Sequence, residues 1–271
     1  MCPARQRRYT GVMNRCGLPH ARRISSIVSS ALLLFVLLLP AIALAGEWRV
    51  MPIRLDLGKD GRSGAVMVVN ESEERLQVQI SAVEWIQDAE GKDLYEETSD
   101  ILFFPRLMFF DGKGEKVLRA GIKLPAIEKE KTYRLFIEEI PDARKAEGAR
   151  VAIAIRFGLP VFVKPLKDGP KGEVTGLSMA GGVVNAVAKN TGNVHFLIQG
   201  ITIRGRNQKG EDIFSKELKG WYLLAGASRS YSADVPADVC SEIAGINVEF
   251  RTDRLVLNGN LVANPSLCPT E

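Results

Sequence analysis

The reading of this chain turns on Val151-Ala-Ile-Ala-Ile-Arg-Phe-Gly-Leu-Pro-Val-Phe-Val-Lys-Pro165. Val151, Ile153, Ile155 and Phe157 alternate with Ala152, Ala154 and Arg156, the period of two that an extended strand imposes. Fifteen residues is far beyond the usual length of about five or six. The small alanine face is expected to lie flat on its own domain, leaving the branched face as a row of apolar knobs. A long, branched strand with an unpaired edge associates readily. The expectation is that this one pairs with a partner.

Upstream, Arg22-Arg23 precede the apolar run Ala31-Leu-Leu-Leu-Phe-Val-Leu-Leu-Leu-Pro40, and Ala43-Leu-Ala45 ahead of Gly46 is a small-residue cleavage site. Residues 1–45 therefore read as a secretory signal peptide. The leader holds six arginines and no acid, which leaves 30 basic against 32 acidic side chains in the 226 residues that follow. A balance near −2 gives no reason to expect nucleic acid or an anionic membrane as a partner. No later stretch is long and apolar enough to span a bilayer, so no membrane insertion is expected after cleavage. Cys240 and Cys268 are an even pair in an exported chain, for which a disulfide is the default.

Nearly every segment of the remainder reads as strand. Trp48–Leu57, Gly64–Asn70, Leu76–Ile86, Ile101–Phe110, Glu115–Arg119, Thr132–Glu139 and the strand from Val151 make seven, with Trp85 placed in mid-sandwich. Leu166–Gly172 is polar, contains Gly-Pro and reads as a linker. Seven more strands follow: Val174–Met179, Val183–Ala188, His195–Gly205, Asp212–Leu218, Ser228–Val235, Ile246–Phe250 and Leu255–Val262. With no helix-period stretch of useful length, the fold class is all-β, two immunoglobulin-like sandwiches in tandem. The expected domains are 46–165 and 173–271, joined by 166–172.

Catalytic chemistry is hard to place. His195 is the one histidine beyond the leader, and it starts the apolar run His-Phe-Leu-Ile, reading as a turn-edge residue. Zinc sites draw on several His or Cys ligands, and no Gly-x-Ser-x-Gly elbow is present. Gly205-Arg-Asn-Gln-Lys-Gly210 continues Glu-Asp where a phosphate loop needs Lys-Ser/Thr, so it reads as a hairpin turn. No catalytic residue, metal or cofactor is assigned.

Several segments resemble the periplasmic pilus-assembly chaperones of the chaperone–usher pathway. Arg54-Leu-Asp-Leu with Asn70, the tryptophan Trp85, Tyr133-Arg-Leu-Phe-Ile-Glu-Glu-Ile-Pro141 and Val161-Phe-Val-Lys-Pro165 are similar to that family's first-domain motifs. The Arg-Phe-Gly-Leu-Pro-Val-Phe-Val form is closer to its divergent, non-classical branch. The second sandwich is similar only through Asn190-Thr-Gly192 and the late cysteines.

The resemblance implies an L-shaped pair of sandwiches in the periplasm that binds pilin or fimbrial subunits, lends them a strand and delivers them to an outer-membrane usher. It places the donated knobs at Val151, Ile153 and Ile155, the face chosen from periodicity, with Phe157 continuing it. It implies that Arg54 grips the client's terminal carboxylate. The family's second cation, a lysine, falls on Pro160, and Arg156, of the same strand parity, is the candidate substitute. It also assigns Glu130 and Lys164 to a charge network between the domains, with Lys164 in place of the usual arginine. The competing expectation is an exported structural protein or adhesin of tandem sandwiches with no client.

Overall fold

The computed structural model describes residues 48–123, 125, 126, 128–141 and 154–269. Strands dominate, as the alternation implies, and they form two immunoglobulin-like sandwiches. In the first, one sheet runs β1 (Trp48–Met51), β3 (Ser63–Asn70), β8 (Glu115–Ile122) and β6 (Ile101–Phe104). The facing sheet runs β2 (Leu55–Leu57), β10 (Arg156–Val163), β9 (Lys131–Glu139), β4 (Leu76–Gln87) and β5 (Asp93–Glu97), with β7 (Leu107–Phe110) also on β4. Alternate residues of these strands, among them Val66, Val78, Leu118, Leu135, Ile137 and Val161, are fully buried between the sheets.

Two segments read as single strands are each broken into two. Trp48–Leu57 is β1 in one sheet and β2 in the other, and Ile101–Phe110 divides likewise into β6 and β7. The breaks fall around Pro52 and Pro105, which have no N–H to continue a ladder. Strand β5 was not expected, because Asp-Leu-Tyr-Glu-Glu lies on a sheet edge and carries no buried face to alternate.

The second sandwich pairs the sheet β11 (Gly172–Ala180), β12 (Val183–Asn190) and β16 (Ser228–Asp234) with the sheet β14 (Asp212–Leu218), β13 (Phe196–Arg206), β17 (Gly245–Thr252) and β18 (Val256–Val262). A two-residue strand, β15 (Tyr222–Leu223), adds to β13. A single helical turn, α1 (Ala237–Cys240), carries the buried Cys240 to Cys268, and the two form a disulfide. Among the described residues no helix is long and apolar enough to cross a membrane.

Trp85 departs from the expected place. It is fully buried, but on the outer face of its sheet, where it packs with Phe162 and Leu224 between the two sandwiches. The alternation of β4 explains this, since Leu76, Val78 and Ile80 enter the core and odd-numbered residues point out. Around that cluster Gln87 Nε2 donates to the Tyr222 carbonyl (2.9 Å) and Gln87 Oε1 accepts from the Leu224 N–H (2.9 Å). Trp221 Nε1 donates to Asp93 (2.8 Å), and Asn193 Nδ2 donates to the Glu128 carbonyl (2.7 Å). A buried aromatic centre with a hydrogen-bonded rim holds the sandwiches together.

Candidate functional site

β10 pairs with β9 along its whole length, Arg156 opposite Glu138 through Val163 opposite Lys131. On its other side β2 covers only Val161, Phe162 and Val163. The backbone N–H of Glu139 donates to the Ile155 carbonyl (2.9 Å), which fixes the alternation of the antiparallel ladder. Odd-numbered residues of β10 bond to β9. The N–H and C=O groups of Arg156 and Gly158 therefore face the opposite edge, which no strand covers among the described residues. Pro160 has no N–H, and the Val161–Leu55 pairing puts the Leu55 N–H of β2 on its carbonyl, so the open edge ends there.

Of the four residues read as donor knobs, Val151 and Ile153 lie outside the described residues. Ile155 and Phe157 are half-buried, and their branched face packs against the core of their own sandwich. That differs from the expected free face. The reason is parity: Leu159, Val161 and Val163 continue the same face straight into that core. Phe157 meets Trp48 edge-on, with ring centroids 4.6 Å apart.

Three arginines lie on the outer face of this sheet. Arg54 immediately precedes β2, 44% exposed at its side chain, with Nε 2.9 Å from Asp56 Oδ2. Arg156 is already occupied: its guanidinium lies 3.7 Å over the Phe136 ring and its Nε is 3.7 Å from Glu138. Arg134, opposite Pro160 in the register of β9, was not singled out from sequence. It is 6% exposed, lies 3.8 Å over Trp85 and donates from Nη1 to the Gly158 carbonyl (2.8 Å). Its Nε is buried with no partner, and no carboxylate pairs with it among the described residues. Burial lowers its pKa from the ordinary value, the expected direction for a desolvated cation.

Reading across the strands, Arg54, Pro160 and Arg134 stand side by side: the residue before β2, the position of β10 where β2 begins to cover it, and its neighbour on β9. Strand spacing puts the Arg54 and Arg134 backbones roughly 10 Å apart. An anion arriving over Pro160 would have a cation on each side.

The expected charge network between the sandwiches takes another form. Glu130 is buried against His195 of the second sandwich, Oε2 lying 2.7 Å from both its N and Nδ1. Lys164 sits apart, 40% exposed at its side chain and 3.7 Å from Asp56. His195 is 1% exposed and stacks on Phe162 with centroids 3.6 Å apart, so it belongs to the interface and not to a turn edge. Among the described residues, no group of three or more His, Cys, Asp or Glu side chains could hold a metal.

Residues 48–167 match the family model described as the pili and flagellar-assembly chaperone, PapD N-terminal domain. Among solved structures, the chain is similar to the chaperone–tip adhesion subunit complex CsuC–CsuE of the archaic Csu pili of Acinetobacter baumannii. That match has TM-score 0.57 and 18% identity, over 78% of this chain and 97% of that one. It is also similar to the class 5 fimbriae chaperone CfaA, at TM-score 0.51 and 16% identity over 80% and 99% of the two chains. The YadV chaperone matches at TM-score 0.51 and 13% identity over 80% and 100%. At these identities the structures show the shared two-sandwich fold. No curated protein matches the chain in sequence.

Proposed function

We propose that this protein, whose residues 48–167 form a pilus-assembly chaperone domain, binds strand-deficient pilus or fimbrial subunits in the periplasm and passes them to an outer-membrane usher. The observation that carries this reading is the open edge of β10, closed at Pro160 and flanked by Arg54 and Arg134. A subunit lacking a strand completes its sheet by adding to that edge, main-chain bonds giving affinity and alternate side chains giving register. Val151 and Ile153 are the knobs that enter the subunit's groove, and Ile155, packed against the core of its own sandwich, marks where the donated face ends. Phe157 remains on Trp48 and serves as the root of the donated segment.

The subunit's terminal carboxylate lies over Pro160, met by Arg54 from one side. Arg134 supplies the second cation in place of Arg156, which is held by Phe136 and Glu138. This supplies a reason for a buried arginine that has Asp93 nearby but no carboxylate within ion-pair distance among the described residues: a buried charge is costly until paired. The likeness to CsuC, solved with a tip adhesion subunit, supports a client of the same kind.

The test is co-expression in the periplasm with a strand-deficient fimbrial subunit carrying its own C-terminus. Stable one-to-one recovery of the subunit with wild-type protein, and its loss with Arg54→Ala, are expected. Recovery unchanged in a folded Arg54→Ala variant removes the anchor. A subunit that accumulates equally well without this protein removes the chaperone reading and leaves a tandem-sandwich structural protein.

A further inference from the structure

Resting on the anchor reading above, we infer that the second sandwich keeps Arg134 available to the subunit: Trp221 holds the Asp93 carboxylate on β5 and so prevents it from pairing with that arginine. Arg54 and Arg156 each have an acid of their own, Asp56 at 2.9 Å and Glu138 at 3.7 Å. Arg134 is the most buried of the three, and it has no carboxylate within ion-pair distance among the described residues. A buried cation draws in whatever acid can reach it. Asp93 is the acid at hand. It stands opposite Gln87 in the register that sets Tyr95 opposite Trp85, so it shares the outer face on which the guanidinium covers Trp85. Burial lowers the arginine's pKa, and Tyr95 and then Asp93 oppose that shift, so the carboxylate is within electrostatic reach.

Neutral donors keep it apart. Asp93 Oδ1 accepts from Gln87 Nε2 (2.9 Å) and Oδ2 from Trp221 Nε1 (2.8 Å). Gln87 is itself fastened to the Tyr222 carbonyl and the Leu224 N–H, so residues 221–224 of the second sandwich fix the carboxylate from both sides. The Trp221 ring also lies 6.0 Å from the Arg134 guanidinium, so one side chain stands beside both charges. Direction then matters, because the sheet runs β10, β9, β4, β5. Arg134 on β9 donates to the Gly158 carbonyl on β10, which holds its guanidinium towards Pro160. Asp93 lies on the far side, two strands from β9. Pairing with it would draw the guanidinium across Trp85 and supply internally the counter-charge that the subunit's carboxylate brings. Trp221 is thus a positioning residue for capture, although it belongs to the other sandwich.

The experiment is equilibrium titration of the full-length protein with the fimbrial subunit that co-purifies with it, once with a free C-terminus and once amidated. Trp221→Phe keeps an aromatic ring beside Arg134 at a partly exposed position and deletes the N–H that Asp93 accepts. It should weaken capture of the natural subunit about three- to fivefold, the scale of a partly exposed ion pair. The amidated subunit makes no demand on Arg134, so its affinity should stay within about twofold of wild type. Adding Asp93→Asn removes the competing charge and should return the natural subunit to within about twofold of wild type, a rescue that a purely structural role does not produce. Capture undiminished in Trp221→Phe, a loss that Asp93→Asn does not reverse, or an equal loss with the amidated subunit overturns the role of Trp221. If the wild type holds natural and amidated subunits equally well, the anchor reading falls instead, so the two failures are distinguishable.

Discussion

Glu130, just before β9, and His195, just before β13, close the two sandwiches on each other, one carboxyl oxygen lying 2.7 Å from both the backbone N and Nδ1 of the histidine. Their side chains are 0% and 1% exposed, and the imidazole lies flat on Phe162. Desolvating such a pair is costly, and only good geometry repays it. The same pair therefore penalises any other arrangement of the sandwiches, in which one partner would be buried alone.

Removing one partner is the sharper perturbation. His195→Ala leaves the Glu130 carboxyl with only a backbone N–H, and a loss of about 3–5 kcal/mol is expected in urea unfolding. The two sandwiches should then unfold at separate midpoints, since the buried pair that couples them most strongly is gone. Coincident transitions with an unchanged midpoint would show that the aromatic cluster alone carries the interface.

Acid should act through Asp100. Its carboxylate accepts from the Tyr133 hydroxyl (2.8 Å) and Lys131 Nζ (3.3 Å), and these contacts, the tyrosine first, hold its pKa below the ordinary value. A carboxyl with a depressed native pKa contributes stability above its unfolded value, about 3.9, and that contribution disappears as pH falls through the native value. Tyr133, pushed upward by burial and then by Asp100, has the opposite sign: its contribution is present below about pH 10 and disappears above it. Unfolding free energy followed from pH 2 to 5 should lose part of its slope in Asp100→Asn. An identical slope would place the acid sensitivity elsewhere.

Alternation made the all-β class, the paired sandwiches and the cysteine pair legible in the sequence, because a strand's period and an even cysteine count are local signals. The sheet switches at Pro52 and Pro105 were not, since a proline marks a broken ladder without saying which sheet receives the chain. Arg134 escaped notice because its importance comes from register. Only the pairing of β9 with β10 puts it beside Pro160, and tryptophans from both sandwiches, Trp85 and Trp221, lie against its guanidinium. His195 escaped for the same reason: its partner Glu130 is 65 residues away. Arg156 was chosen by parity along its own strand, which carries no information about Phe136 and Glu138 on the next one.

The disulfide should matter to the second sandwich alone. Cys240 is buried in that core and tied to Cys268 across 28 residues, so closing the loop should stabilise by about 3–4 kcal/mol on the chain-entropy argument. In the His195→Ala background, where the sandwiches unfold separately, replacing both cysteines with serine should lower the melting point of the second sandwich and leave the first unaffected. Equal midpoints with and without the bond would overturn this.

The three arginines should separate by function. Arg156→Ala removes a guanidinium already stacked on Phe136 and paired with Glu138, both partly solvated, so subunit capture should fall by no more than about threefold, the scale of an exposed pair. Arg134→Gln removes the charge over Trp85 while keeping an amide that can reach the Gly158 carbonyl, so the fold should survive. If Arg134 meets the subunit's carboxylate, losing one partner of a desolvated charge pair weakens capture by about 2–5 kcal/mol. Amidating the subunit's C-terminus should then cost the wild type about as much and cost Arg134→Gln little more, because both changes remove the same pair. Equilibrium titration of the four combinations gives the coupling directly. Additive losses would show that Arg134 acts only as a brace for Trp85, and a strong effect of Arg156→Ala would return the second cation to β10.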